Sequence, residues 1–80
     1  MRLDKYLKVT RIIKRRTVAN EACDAAHVTV NGRPAKASYD VKVGDFITIT
    51  FGARTLCIRV LEVRETVGKD AAATLYEVVE

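Results

Sequence analysis

Residues 2–26, RLDKYLKVTRIIKRRTVANEACDAA, decide the fold. At about 100° per residue the first positions separate cleanly into two faces. Leu3, Tyr6 and Leu7 share one side, and Arg2, Lys5 and Lys8 share the other. Beyond Val9 the pattern fails, because Val9, Ile12 and Ile13 leave the Leu3/Leu7 stripe and mix with the bases. One straight helix would expose isoleucine or bury arginine, and burying an unpaired charge is costly. A break near Thr10–Lys14 avoids both. A second stripe then starts, with Val18, Ala19, Ala22, Cys23 and Ala26 on one side and Thr17, Asn20, Glu21 and Asp24 facing away. The stretch predicts two short helices joined by a basic turn, with Ile12 or Ile13 plugging the core. Asp4 falls in the first turn of the first helix, where the dipole favours a carboxylate. Thr17 is the hydroxyl placed to cap the second helix.

Downstream the apolar period changes. His27-Val28-Thr29-Val30 alternates like a strand and runs into Asn31-Gly32, a strong tight-turn signal. Pro34 keeps the next residues out of a central strand. Val41 to Asp45 is an approach and a turn around Gly44, and Asp40 and Asp45 are turn formers. Phe46 to Phe51 is β-rich, with both phenylalanines expected in the core. Gly52-Ala53 turns the chain into a long strand, Arg54 to Val63. Residues 64–71 are expected to be a loop around Gly68, and Leu75 to Val79 a last strand. Two helices followed by about four strands on short loops predict an α+β fold: two N-terminal helices packed on a small, mostly antiparallel sheet.

Eighty residues make one small domain, expected over 1–80 with its core in 1–50 and a strand extension in 51–80. A chain this size buries roughly 60% of its unfolded surface, enough for one thin core and too little for a separate cofactor domain. No apolar run approaches the length of a membrane span. The N-terminus runs straight into charge, so no secretory leader is expected and the expected location is cytoplasmic.

The net charge of +4 is unevenly spread. Residues 1–16 hold seven basic groups (Arg2, Lys5, Lys8, Arg11, Lys14, Arg15, Arg16) against the single acid Asp4, a balance of +6. Residues 17–80 hold seven basic and nine acidic groups, a balance of −2. A near-neutral body with one basic end points to a polyanion partner. Arginine forks suit phosphate oxygens, and the start of a helix adds backbone N–H donors beside them. Five aromatics, two of them assigned to the core, leave little for stacking loose single strands. A surface that fits a folded, phosphate-rich shape is the better reading. Lys36 joins this set on charge alone.

Catalytic and metal chemistry are poorly supported. His27 is the only histidine, Ser38 has no base placed beside it, and no phosphate-loop or dinucleotide motif occurs. Cys23 and Cys57 lack metal or redox spacing and read as reduced, core-filling thiols. No catalytic centre, metal, cofactor or small-molecule substrate is expected. A DNA-binding helix-turn-helix is disfavoured by Glu21 and Asp24 on the outward side of the second helix.

Four blocks in order, Arg2-Leu3-Asp4-Lys5-Tyr6-Leu7, Arg15-Arg16-Thr17-Val18-Ala19, Val28-Thr29-Val30-Asn31-Gly32 and Val43-Gly44-Asp45-Phe46-Ile47, resemble the S-four (alpha-L) RNA-binding domain. The N-terminal run and overall length resemble most closely its stand-alone RqcP-type family of bacterial ribosome-associated quality control. The heat-shock protein fifteen recycling factors are more distant relatives. The resemblance implies a non-enzymatic factor that binds the obstructed large ribosomal subunit through rRNA, near its helix sixty-nine, and through P-site tRNA. It implies support for alanine tailing of stalled chains by an RqcH-type partner, and a monomer. A recycling role of the heat-shock type, or an RNA-modification accessory role, is the alternative. Family RNA contacts carry over to Arg2, Lys5, Lys14, Arg15, Arg16 and Thr17; Lys8, Arg11 and Lys36 are added from charge. Two positions depart from the pattern. Arg15 stands where a serine cap is usual, and Ala26 stands where many members have glycine, so the helix is expected to end differently or to run one residue further.

Overall fold

The computed structural model describes residues 1–79; Glu80, the end of the expected 51–80 extension, lies outside the described residues. Two helices, α1 (Leu3–Val9) and α2 (Arg16–Asp24), precede β1 (Val28–Val30), β2 (Arg33–Pro34), β3 (Phe46–Phe51) and β4 (Arg54–Val60). A short helix α3 (Lys69–Ala72) and β5 (Tyr76–Val78) complete the order. The five strands form one antiparallel sheet in the order β2-β1-β3-β4-β5. The α+β expectation therefore holds, with one more helix than the sequence suggested. Residues 69–71 of it fall inside the expected loop and Ala72 just past it. A four-residue helix with a single alanine buried, Ala72, leaves no periodicity to detect.

The core forms where the α1 stripe meets one sheet face. Leu3, Tyr6 and Leu7 are wholly buried, as are Val28, Ile47, Ile49 and Ile58. Of the two candidate plugs Ile13 is buried and Ile12 only partly. Arg11 adopts φ +61° and turns the chain at the end of α1, so the Ile13 N–H reaches back to the Leu7 carbonyl at 3.1 Å. Tyr6 donates its hydroxyl to the Leu75 carbonyl at 2.9 Å and anchors α1 to the segment before β5.

Several burial expectations fail. Phe46 is 44% exposed, because it pairs with Arg59 on the sheet face away from the helices. Phe51 is 43% exposed: it shares the face of Ile47 and Ile49 but lies in the last β3–β4 pair, past the buried stretch. Val18 is 46% exposed, since α2 buries only Ala19 and Cys23 fully. Cys57 is only partly buried, and β4 stops at Val60 rather than Val63.

Ala26 does not redirect the end of α2. It takes the left-handed conformation itself, with φ +61°. Its N–H bonds the Cys23 carbonyl at 3.0 Å and the His27 N–H bonds the Ala22 carbonyl at 2.9 Å. That is the Schellman closure normally made with glycine.

Candidate nucleic-acid interface

The start of α1 is stitched to the loop that leads into β3. The N–H groups of Leu3 and Asp4 donate to the carbonyls of Tyr39 (2.8 Å) and Ala37 (3.2 Å). The Met1 ammonium pairs with Asp40 at 2.7 Å. These bonds satisfy the first donors of α1 without a side-chain cap. They also fix where Arg2 sits.

Asp4 does more than meet a helix dipole. Its carboxylate is buried and accepts from the Arg2 Nε at 3.1 Å, the Lys5 N–H at 2.8 Å and the Arg16 Nε at 3.2 Å. Burial by itself would raise this carboxyl, but the Arg2 and Arg16 guanidinium groups outweigh it and hold the pKa below the ordinary value. Arg2 and Arg16, fourteen positions apart in the chain, thereby lie side by side. Both side chains stay about half exposed, at 50% and 46%. Each guanidinium carries five donors. Asp4 engages the Nε of each, plus a long 3.5 Å contact from the Arg2 Nη2, so further N–H donors of both groups are not taken up by Asp4.

Of the cations expected to form the ridge, Arg2 and Arg16 are brought together on Asp4, and not all of the others are free. Lys5 is ion-paired to Glu65, an acid sixty positions away that no local pattern connects to it. Lys8, Arg11, Lys14 and Arg15 are exposed and carry no ion pair among the described residues. Arg15 occupies the N-cap position of α2, where no side chain caps the helix, so Thr17 does not cap it either. Thr17 lies exposed beside Arg16, and both line an open cavity of about 490 Å³ with Arg2 and Asp4. Lys36 is exposed on the loop after β2 and lines a cavity of about 400 Å³ together with Arg2.

A second polar cluster holds the hairpin in place. Asn31 and Gly32 both have positive φ, +53° and +83°, the pair required by a two-residue hairpin turn. The Asn31 amide donates to Asp45 (3.2 Å), and its oxygen accepts the Phe46 N–H (3.0 Å). Asp45 also accepts the Tyr39 hydroxyl at 2.9 Å and the Lys42 N–H at 3.0 Å. The sequence offered Asp45 as a turn former; the structure makes it the buried node that joins the Asn-Gly and Gly-Asp blocks.

The sequence pattern that defines the S4 domain matches residues 1–47 of the chain. The chain belongs to the S4 domain family. The S4 match spans the Arg2/Asp4/Arg16 cluster and the Asn31/Asp45 node, and stops within β3. Among characterised proteins the chain is 54% identical over 78 residues to the RQC P-site tRNA stabilizing factor of Halalkalibacterium halodurans, covering 98% of this chain and 89% of the relative. It is 48% identical over 80 residues to the factor of the same name from Bacillus subtilis, covering 100% and 93%. Among solved structures it superposes on the trimeric Heat Shock Protein 15 of Vibrio cholerae with a TM-score of 0.92 at 31% identity, covering 99% of this chain and 81% of that one. The likeness to that structure therefore extends past the S4 match, through β4 and β5.

Proposed function

We propose that this S4 domain protein is a P-site tRNA stabilizing factor of bacterial ribosome-associated quality control. It binds RNA on the large subunit that still carries a stalled chain. The relatives that share its full length support this reading. The single observation that carries the mechanism is the Asp4-pinned pair of arginines beside the unpaired cations Lys14 and Arg15 at the start of α2. Arg2 and Arg16 arrive pre-aligned, so little side-chain freedom is lost on meeting phosphate. Lys14 and Arg15 add charge at the start of α2, where no side chain caps the helix and backbone N–H groups favour an anion.

The contacts follow from that arrangement. Arg2, Arg16 and Thr17 grip one stretch of RNA backbone. Lys14, Arg15, Arg11 and Lys8 extend the positive surface toward a second RNA, so rRNA and tRNA are held together. The protein acts without catalysis, as a single domain over 1–80 and as a monomer, in the cytoplasm where ribosomes work. By keeping the P-site tRNA in place it supports alanine tailing by an RqcH-type partner.

The test is co-sedimentation with large subunits over a salt series. Lys14→Ala/Arg15→Ala removes two unpaired cations and leaves the Asp4 cluster intact. It is expected to weaken binding and flatten the salt dependence by about one unit for each phosphate no longer neutralised. Unchanged co-sedimentation of that variant would refute the reading.

A further inference from the structure

Glu65 stands on the segment between β4 and α3, and its carboxylate is ion-paired to the Lys5 ammonium on the basic face of α1. Lys5 lies between Arg2 and Lys8 at three-residue spacing, which places all three on one side of a helix. Arg2 is bound to its near neighbour Asp4, and Lys8 carries no ion pair among the described residues. Of the three, Lys5 is the one held by an acid from a distant part of the chain. The ammonium in turn holds the Glu65 carboxyl below the ordinary glutamate range.

The segment that carries Glu65 is fixed at both ends and loosely held between them. At its start the N–H groups of Leu61 and Glu62 donate to the Leu75 carbonyl at 2.9 and 3.1 Å. At its end the N–H groups of Ala71 and Ala72 donate to the Gly68 carbonyl, both at 3.1 Å, as α3 begins. Val63 packs partly against the core. No backbone group of residues 63–67 bonds to another backbone group among the described residues. Glu62 and Arg64 pair with each other. The Lys5 bond is therefore the one polar contact that ties residues 63–67 to α1 among the described residues. Glu65 is 71% exposed and Lys5 36%, so parting them uncovers no buried charge.

We infer that Glu65 is a latch, a carboxylate on the strap 61–68 that competes with RNA phosphate for Lys5 and releases this cation when RNA displaces it. The inference rests on the RNA-binding reading above and adds the regulation of that surface. An exposed ion pair is weak enough to exchange partners. The strap keeps the carboxylate at a high effective concentration beside Lys5, so the pair closes again when RNA leaves. RNA already gripped by the neighbouring cations presents its phosphate with the same advantage, and a loosely associated polyanion does not. The latch thus lowers adhesion to stray polyanions and leaves Lys5 available to RNA that is fully seated.

The experiment is a double-mutant cycle, with binding to large ribosomal subunits measured by quantitative co-sedimentation at low salt, where an exposed pair is least screened. Glu65→Gln should tighten binding by about two- to fivefold, the range that an exposed ion pair can supply. Lys5→Ala/Glu65→Gln should bind as Lys5→Ala does. A second arm uses the free protein. Trypsin should cut after Arg64 faster in Lys5→Ala than in the wild type, because the strap is no longer tied to α1. Thermal melting confirms that each variant is folded. A gain from Glu65→Gln that is equal with and without Lys5 is a general charge effect and overturns the latch, and so does no gain at all. Equal cutting of wild type and Lys5→Ala overturns it as well. A wild-type protein that does not sediment with large subunits strikes the RNA-binding reading instead, and the cutting rates then decide by themselves whether the strap is tied through Lys5.

Discussion

Arg16, the first residue of α2, donates its Nε to the buried carboxylate of Asp4 at 3.2 Å, across twelve positions of sequence. The bond ties the two helices together at the point where Arg2 also meets Asp4. One acid thus holds both arginines. It neutralises part of the local charge so that two arginines can lie together, each still about half exposed.

Asp4→Asn tests that role. Removing the charge weakens hydrogen bonds from two guanidinium groups, and a bond to a charged group contributes about 1.5–3 kcal/mol. A loss of about 2 kcal/mol in urea unfolding at neutral pH is expected, together with weaker RNA binding. The pH dependence has a definite sign. The folded pKa of Asp4 lies below the unfolded one, so its contribution is present above about pH 3.9 and disappears as pH falls through the folded value. Asp4→Asn should remove that part of the acid dependence; an unchanged acid profile would count against the pairing.

Ala26→Gly should stabilise the protein. Ala26 holds φ +61°, a conformation that costs an L-residue about 1–2 kcal/mol and glycine almost nothing. Part of the gain is offset by the greater freedom of glycine in the unfolded chain. A net gain of about 0.5–1 kcal/mol is expected, seen as a rise of a few degrees in Tm. No rise, or a fall, would show that the Schellman turn at Ala26 is not strained.

Tyr39 donates its hydroxyl to the Asp45 carboxylate, and that bond, with burial and the nearby negative charges, holds its phenol above the usual tyrosine range. Ultraviolet titration should therefore show Tyr39 ionising late, alongside the buried Tyr6, and Asp45→Asn should bring the Tyr39 step alone down. Because the folded pKa is the raised one, the Tyr39 contribution is complete below about pH 10 and is lost as pH climbs through the folded value. A Tyr39 titration that Asp45→Asn leaves unmoved would refute the node.

Tyr6→Phe removes the buried bond to the Leu75 carbonyl. That carbonyl keeps the N–H groups of Leu61 (2.9 Å) and Glu62 (3.1 Å), so it is not left unsatisfied. The expected cost is about 1 kcal/mol, the ordinary net value of one hydrogen bond, rather than the larger penalty of an orphaned acceptor. A loss above about 3 kcal/mol in chemical denaturation would mean that Tyr6 has a further packing role.

Burial, reinforced by Asp4 and Asp24, pushes the Cys23 thiol up to about 11, so it stays protonated at neutral pH. Since the thiolate is the reactive form, iodoacetamide at pH 8 should modify Cys23 far more slowly than the partly exposed Cys57. Mass spectrometry of partially alkylated protein distinguishes the two sites.

The two helices and most strands were legible because their apolar residues repeat at helix or strand spacing, and Asn31-Gly32 names its own turn. Helix α3 was not legible, because four residues carry no period. The exposure of Phe46 was hidden for a related reason. Alternation along β3 says that Phe46 and Ile47 face opposite ways, but not which face the helices cover.

Periodicity and charge distribution by themselves determined a two-helix start, an antiparallel sheet and a cationic end, since each depends only on neighbours along the chain. Which cations are held by distant acids was decided by tertiary structure alone. Asp4 meets Arg16 because α1 packs on α2, Lys5 meets Glu65 because the segment after β4 returns to α1, and Asp45 meets Asn31 because β1 pairs with β3. Pairings of this kind span twelve, sixty and fourteen positions, and no local pattern records them. Their geometry comes from closing the core, which brings together residues that the chain keeps far apart.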